Sequence, residues 1–245
     1  MYGKILFTLF FIHVSSLFAF NSVEQLKAGR DTAQSVPQFQ ADQNKSLFFE
    51  AINNSARYAS IETKLPYLLT VRTLLQKGFN VDTIDSYGLT GLSYAIEQKD
   101  NEMTLLLIGK GANLDATSGN SKLTPRMVLD QRVAISLIGT RPTSFDDFFD
   151  LIHSSAGQKD FASKAPYLSK VRVLLLNGFD VNTRDRNGYT GLHHAIDNQD
   201  YDMAFLLMGK GANLDVEDSA PLTPRFLIDQ KMAFAIGMAL AKINN

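Results

Sequence analysis

The chain has 245 residues, a formal net charge of −1, hydrophobic and charged fractions of 45% and 20%, and no cysteine. Such a composition suits a folded protein, and near-neutral charge without a basic stripe argues against a nucleic-acid partner. The missing thiols exclude disulfides, thiolate metal sites, a cysteine nucleophile and a lipid-anchored cysteine.

Residues 1–19 differ in kind from the rest. Lys4 precedes an apolar run from Ile5 to Val14, broken only by Thr8 and His13, and small residues follow at Ser15, Ser16 and Ala19. This pattern predicts a secretory signal peptide cleaved after Ala19. The run is short of the roughly 20 apolar residues that span a bilayer, and no later segment is long enough. The mature chain is therefore expected outside the cytosol, free of membrane after cleavage. The lack of cysteine inclines the reading to a bacterial periplasm, with secretion as the alternative.

Residues 20–45 are polar, with Gly29 and Pro37, and are expected to form a flexible lead-in. Ser46 is a candidate N-cap for a helix from Leu47 to Ala56. A second helix is expected from Pro66 to Lys77. Next, Leu92, Ala95 and Ile96 fall on one helical face, and Met103, Leu106 and Leu107 repeat the spacing. Gly88 suits a turn that a side chain would obstruct. Thr90 can cap the helix after it, and Gly111 can end the next helix in a left-handed cap.

A shift of one hundred residues lays the chain on itself. Phe48-Phe49 returns as Phe148-Phe149, Pro66-Tyr67-Leu68 as Pro166-Tyr167-Leu168, and Gly109 to Asp115 unchanged as Gly209 to Asp215. About half of roughly 68 aligned positions are identical. One residue is then lost, so that Thr124-Pro125-Arg126 answers to Thr223-Pro224-Arg225. A finer period of about 33 residues runs inside each block, as from Asn80-Val81-Asp82 to Asn113-Leu114-Asp115. Six units follow, at 46–78, 79–111, 112–141, 145–178, 179–211 and 212–243, grouped as blocks 46–141 and 142–245. The last helix is expected from Met232 to Ile243, apolar over much of its surface. The join at 139–144 is expected to kink the stack or to separate two lobes.

Asp85, Gly88, Thr90, Leu92 and Ala95, continuing to Gly111-Ala112-Asn113, resemble the ankyrin repeat. Asp185, Gly188, Thr190, Leu192, His193 and Ala195 resemble it more closely. The resemblance implies an all-α ankyrin-repeat solenoid of about six helix–loop–helix units, a tandem duplication of a three-unit block. The chain departs from the family pattern at Gly91 and Gly191, where proline is usual at the first helical position. A softer helix start is the expectation there. Arg126 and Arg225 likewise stand where Leu-His is usual.

No catalytic constellation emerges. His193 and His194 are neighbours on one helix, so their side chains diverge and chelate one metal poorly. By resemblance, His193 is a structural histidine that bonds neighbouring loop backbone. Gly109-Lys110-Gly111 lacks phosphate-loop spacing and fits a helix stop. Asp146, Asp147 and Asp150 fit the negative first turn of a helix better than a metal site. The runs Leu105 to Ile108 and Val173 to Leu176 are expected as inter-repeat core. No cofactor, metal or catalytic residue is assigned.

The resemblance implies a protein-binding module that recognises partners through its loop tips and a concave face, without activity of its own. The residues assigned to that surface are Ile84, Ser86, Tyr87, Leu89, Tyr94 and Gln98 in the first block, and Arg184, Arg186, Asn187, Tyr189, His194 and Asn198 in the second. Tyrosine and arginine weigh most at interfaces. Combined with export, the chain resembles periplasmic ankyrin self-protection (immunity) proteins of predatory bacteria. These block a peptidoglycan endopeptidase of the same cell, which makes another exported protein the expected partner. Accessory proteins of stress-defence enzymes and secreted host-directed effectors are alternatives, and a hydrolase is a remote one.

Overall fold

The computed structural model describes residues 35–116, 124–136, 148–215 and 222–244. Ten helices are found among them: α1 Ser35–Ser55, α2 Ile61–Gln76, α3 Gly91–Glu97, α4 Asn101–Gly109, α5 Pro125–Ser136, α6 Phe148–Ala156, α7 Phe161–Leu176, α8 Gly191–Asp197, α9 Tyr201–Gly209 and α10 Pro224–Asn244. The expected signal peptide and the join at 139–144 lie outside the described residues, as do Asp146 and Asp147.

The fold is an all-α ankyrin-type solenoid. α1 pairs with α2 and α3 with α4, while α6 pairs with α7 and α8 with α9. Neighbouring pairs stack through α1 on α3 and α6 on α8. The seam is made by residues that repeat at offset one hundred. Phe48, Ile52, Leu68, Leu92 and Ile96 are buried in the first block, and Phe148, Ile152, Leu168, Leu192 and Ile196 in the second.

Polar contacts repeat as well. Asp100 is buried, caps α4 through the Met103 N–H, and accepts from Ser55 Oγ at 2.6 Å and Lys64 Nζ at 2.8 Å. Asp200 accepts likewise from Ser155 at 2.6 Å and Lys164 at 2.8 Å. Burial alone would lower the Lys64 pKa. Its bonds to Asp100 and Glu102 outweigh that and raise it. A buried charge persists only when paired in this way.

Several expected boundaries shift. α1 begins at Ser35, so Ser46 lies inside it, and part of the expected flexible lead-in is helical. α2 begins at Ile61 under a Ser60 cap, and Pro66 sits inside its second turn. The last helix does not start at Met232. Pro224 to Asn244 is unbroken, because nothing between Arg225 and Gly237 stops a helix. Gly91 also gains a physical reason. A Cβ there would stand 2.6 Å from Ile52 Cδ1 and 2.7 Å from Phe48 Cε1, and Gly191 meets Ile152 and Phe148 in the same way. The missing side chain lets α3 press onto α1.

The two blocks interlock rather than run on as one row. α5 packs on α3 of its own block and on α9 of the other. α10 packs on α8 of its own block and on α4 and α2 of the other. The approach is close: a Cβ on Gly109 would meet Asp229 backbone at 3.1 Å, and one on Gly209 would meet Asp130 N at 2.9 Å. Arg126 forks onto Asp115 at 2.6 and 2.7 Å and reaches across to Met208 O at 2.6 Å. Arg225 forks onto Asp215 and reaches Ile108 O at 2.7 Å. The arginines that depart from the family pattern are the links between lobes.

The run Leu105 to Ile108 is fully buried, as expected. Val173 to Leu176 is not. Val173, Leu174 and Leu175 are half-buried, and Leu176 is 58% exposed. The long α10 covers α2, whereas its counterpart α5 is described only to Ser136 and packs chiefly on α9 and α3.

Candidate partner-binding face

Each lobe projects a hairpin-like tip between its first two units. A lone antiparallel bridge joins Ile84 to Thr90, and another joins Arg184 to Thr190. Asp85 locks the first tip by accepting from Tyr87 N at 2.8 Å and Leu89 N at 2.9 Å. Asp185 does the same for Asn187 and Tyr189, both at 2.9 Å. The tip can turn because Gly88 takes φ 80° and Gly188 φ 84°. Asn113 N donates to Asp82 Oδ1 and Asn213 N to Asn182 Oδ1, which ties successive tips together.

This rigid hairpin holds Tyr87 out at 81% exposure, with Ile84 beside it at 45%. Ser86, Arg186 and Asn187 are exposed as well. The second lobe's tip is therefore cationic and polar where the first is aromatic and aliphatic.

Below the tips lie the inner faces of the first helices. In the first lobe a groove of about 340 Å³ is lined by Lys45, Phe49, Asn53, Asp85, Ser86 and Tyr94, among others. Tyr94 hydroxyl donates to Asp85 at 2.5 Å. That bond, with burial, pushes the phenol up to about 12. Burial would raise the Asp85 carboxyl, but the Tyr94 bond and the surrounding backbone N–H groups outweigh it and hold it low. Gln98 Nε2 donates to Asn53 Oδ1 at 2.6 Å.

The second lobe has imidazoles in the matching places. His194 Nε2 lies 3.0 Å from Asp185 Oδ2, and its Nδ1 lies 3.3 Å from His153 Nε2. Phe149 and Tyr189 rings flank His194 edge-on. Asn198 turns its amide back to His194 O at 2.9 Å. Arg184 and Leu89 are half-buried at the tip bases. Thus Tyr94 lines the groove, and it, Gln98, His194 and Asn198 are engaged in internal hydrogen bonds, while Ser86, Tyr87, Arg186 and Asn187 are exposed. Local sequence does not mark His153. Its signal is register: it answers to Asn53, on the helix face that bonds the next unit.

Asp185 and His194 form an acid–imidazole pair, but the remaining nitrogen faces another imidazole. Its described partner is His153, not a hydroxyl or thiol. His193 is buried with Nδ1 accepting from Thr190 N at 3.0 Å and Nε2 3.0 Å from Leu222 O, so it ties α8 to the next loop. Among the described residues no cluster of three metal-ligating side chains occurs, and no helix is long and apolar enough to cross a membrane.

Residues 160–208 match the family model for ankyrin repeats (many copies). The chain is 24% identical over 146 residues to a Fowlpox virus (strain NVSL) protein named as ankyrin repeat protein FPV034, covering 60% of this chain and 26% of the viral one. It is 29% identical over 153 residues to a Treponema pallidum (strain Nichols) protein named as ankyrin repeat-containing, covering 62% and 40%. These matches support the ankyrin-repeat family. The chain spans less than half the length of either relative. A solved ankyrin repeat protein, EF0377, shares 25% identity at a TM-score of 0.31, over 79% of this chain and 96% of its own. Ankyrin repeats imply protein partners.

Proposed function

We propose that this chain is an exported protein-binding module, an inhibitor or self-protection factor that sequesters a cell-wall (peptidoglycan) endopeptidase in the periplasm. The observation that carries the binding role is the first tip. A side chain as large as Tyr87 is held 81% exposed by a hairpin whose backbone is locked to Asp85. Exposing an aromatic ring on a rigid turn suits an interface anchor, since little entropy is lost when a partner covers it. The engaged side chains below form a preorganised floor. The export half of the proposal rests on residues 1–19.

Two measurements test the reading. The chain is expressed in a bacterial host with a periplasm, and its mature N-terminus is determined. Phe20 as first residue supports export, and an intact N-terminus in the cytosol refutes it. Purified chain is then titrated into a periplasmic peptidoglycan endopeptidase acting on cell-wall sacculi. Stoichiometric inhibition, weakened about tenfold or more by Tyr87→Ala or Arg186→Ala with unchanged melting temperature, is expected. Cleavage of sacculi by the chain alone would overturn the binding role. Capture of a stress-defence enzyme would redirect the choice of partner.

A further inference from the structure

The second lobe holds two imidazoles where the first has an amide and a phenol. His153 on α6 turns Nε2 toward Nδ1 of His194 on α8, at 3.3 Å. The other nitrogen of His194 meets the Asp185 carboxylate at 3.0 Å. An acceptor there fixes the tautomer. The proton sits on Nε2, and Nδ1 presents its lone pair to His153.

The rings cross at 82° with centroids 4.8 Å apart. A collinear N–H···N bond at this nitrogen separation would hold the centroids further apart. The two nitrogens therefore do not meet head-on. Nitrogens sharing a tetrahedral zinc ion, each bonded at 2.0–2.1 Å, stand about 3.3–3.4 Å apart. A carboxylate behind a metal-bound imidazole orients the ring and raises its basicity. Phe149 and Tyr189 limit the swing of His194.

We propose that His153 Nε2 and His194 Nδ1 form an open site for a divalent transition-metal ion of the zinc class, with Asp185 as the orienting carboxylate. No third ligand joins them among the described residues, so water or a solvent-borne ligand takes the other positions. Binding requires His153 to hold its proton on Nδ1, freeing Nε2. The proton that His153 shares through Nε2 moves to its Nδ1, so the ion takes its place between the rings with no net proton release. The first lobe is a built-in control, because Asn53 and Tyr94 occupy the same register.

The test uses full-length chain without an affinity tag and zinc chloride as the probe, read by calorimetry at neutral pH. One saturable ion per chain is expected. His153→Asn and His194→Tyr import the first lobe's residues, and each is expected to weaken binding about tenfold or more. Nitrogen-15 spectra of the wild-type imidazoles add a readout that needs no variant. His153 Nε2 and His194 Nδ1 should move together as zinc is added. Absence of saturable binding, wild-type affinity in either variant, or shifts confined to His193 would overturn the proposal.

Discussion

Lys110 at the end of α4 holds Asp229 of α10 at 2.8 Å, and this ion pair joins the first lobe to the second. Its mirror is Lys210 with Asp130, also at 2.8 Å. An open ankyrin-type stack leaves the outer side of its end units to solvent and needs polar capping there. Here the third-unit helix of each lobe covers the second unit of the other. Arg126 and Arg225 finish the joint by donating to the Met208 and Ile108 carbonyls at the ends of α9 and α4, each as a second donor beside Gly211 N or Gly111 N. Each lobe is capped by its sibling.

The closeness of this joint makes glycine indispensable at one place and wasteful at another. Gly209→Val would drive a side chain into Asp130 backbone, 2.9 Å from its Cβ. Backbone cannot yield as a side-chain tip can, so a loss of about 1–3 kcal/mol is expected. Gly237 lies inside α10, and an added Cβ there would meet nothing within 4 Å. Gly237→Ala should stabilise by about 0.5–1 kcal/mol through helix propensity. Urea denaturation of the two variants checks the opposite signs.

Gly91→Pro restores the residue usual at this place in ankyrin repeats, and propensity alone would favour it. Packing opposes it. Phe48 and Ile52 are buried, and the Phe48 ring stands 2.7 Å from the added carbon. A net loss of about 1–3 kcal/mol is expected. Thermal unfolding decides, since a rise in melting temperature would show that the α1–α3 contact relaxes freely.

Asp100 combines an N-cap with the pairing of a buried lysine. Asp100→Ala removes the acceptor for Met103 N, Ser55 Oγ and Lys64 Nζ together. Lys64 keeps Glu102 at 2.7 Å, on a side chain that is partly exposed. The expected cost is about 3–5 kcal/mol, the range for stranding one partner of a buried pair. Ser55→Ala should cost about 1 kcal/mol. Equal, small losses in both would show that water replaces the carboxylate.

Much of this was legible in the residues. The hundred-residue offset and the 33-residue pitch fixed the order of paired helices, and Thr90 caps Ser93 N at 3.2 Å as its position predicts. The Gly111 cap also forms, with Ala112 N returning to Leu107 O at 3.0 Å. The interlock was not legible. Contacts between α10 and α4 join residues over a hundred positions apart, and a lone chain carries no periodic signal for them. The hints were local departures, Arg126 and Arg225 in place of Leu-His and glycine at 109 and 209, whose purpose shows only when the opposing helix is present. The metal-like pairing of His153 with His194 was hidden for a similar reason. Adjacent His193 drew the comparison along the helix, while the partner stood on the neighbouring one.

His193 gives a pH dependence that its first-lobe counterpart lacks. Burial lowers its pKa below the ordinary 6.5, more than the bond to Leu222 O raises it. Nδ1 accepts from Thr190 N, so the native ring is the neutral tautomer with its proton on Nε2. Protonating Nδ1 would lose the bond from Thr190 N and leave Thr190 Oγ1, 2.8 Å away, as its acceptor. The unfolded imidazole titrates near its ordinary value, so between that value and the lower native one the unfolded chain binds more protons. This contribution is therefore fully present above about pH 6.5 and is lost as pH falls through the native pKa. His193→Ser, which imports Ser93 of the first lobe, should be less stable than wild type at pH 7.5. The gap should narrow as pH drops below 6.5. Urea midpoints across that range measure it, and a gap that stays constant would mean that the ring titrates alike in the folded and unfolded chain.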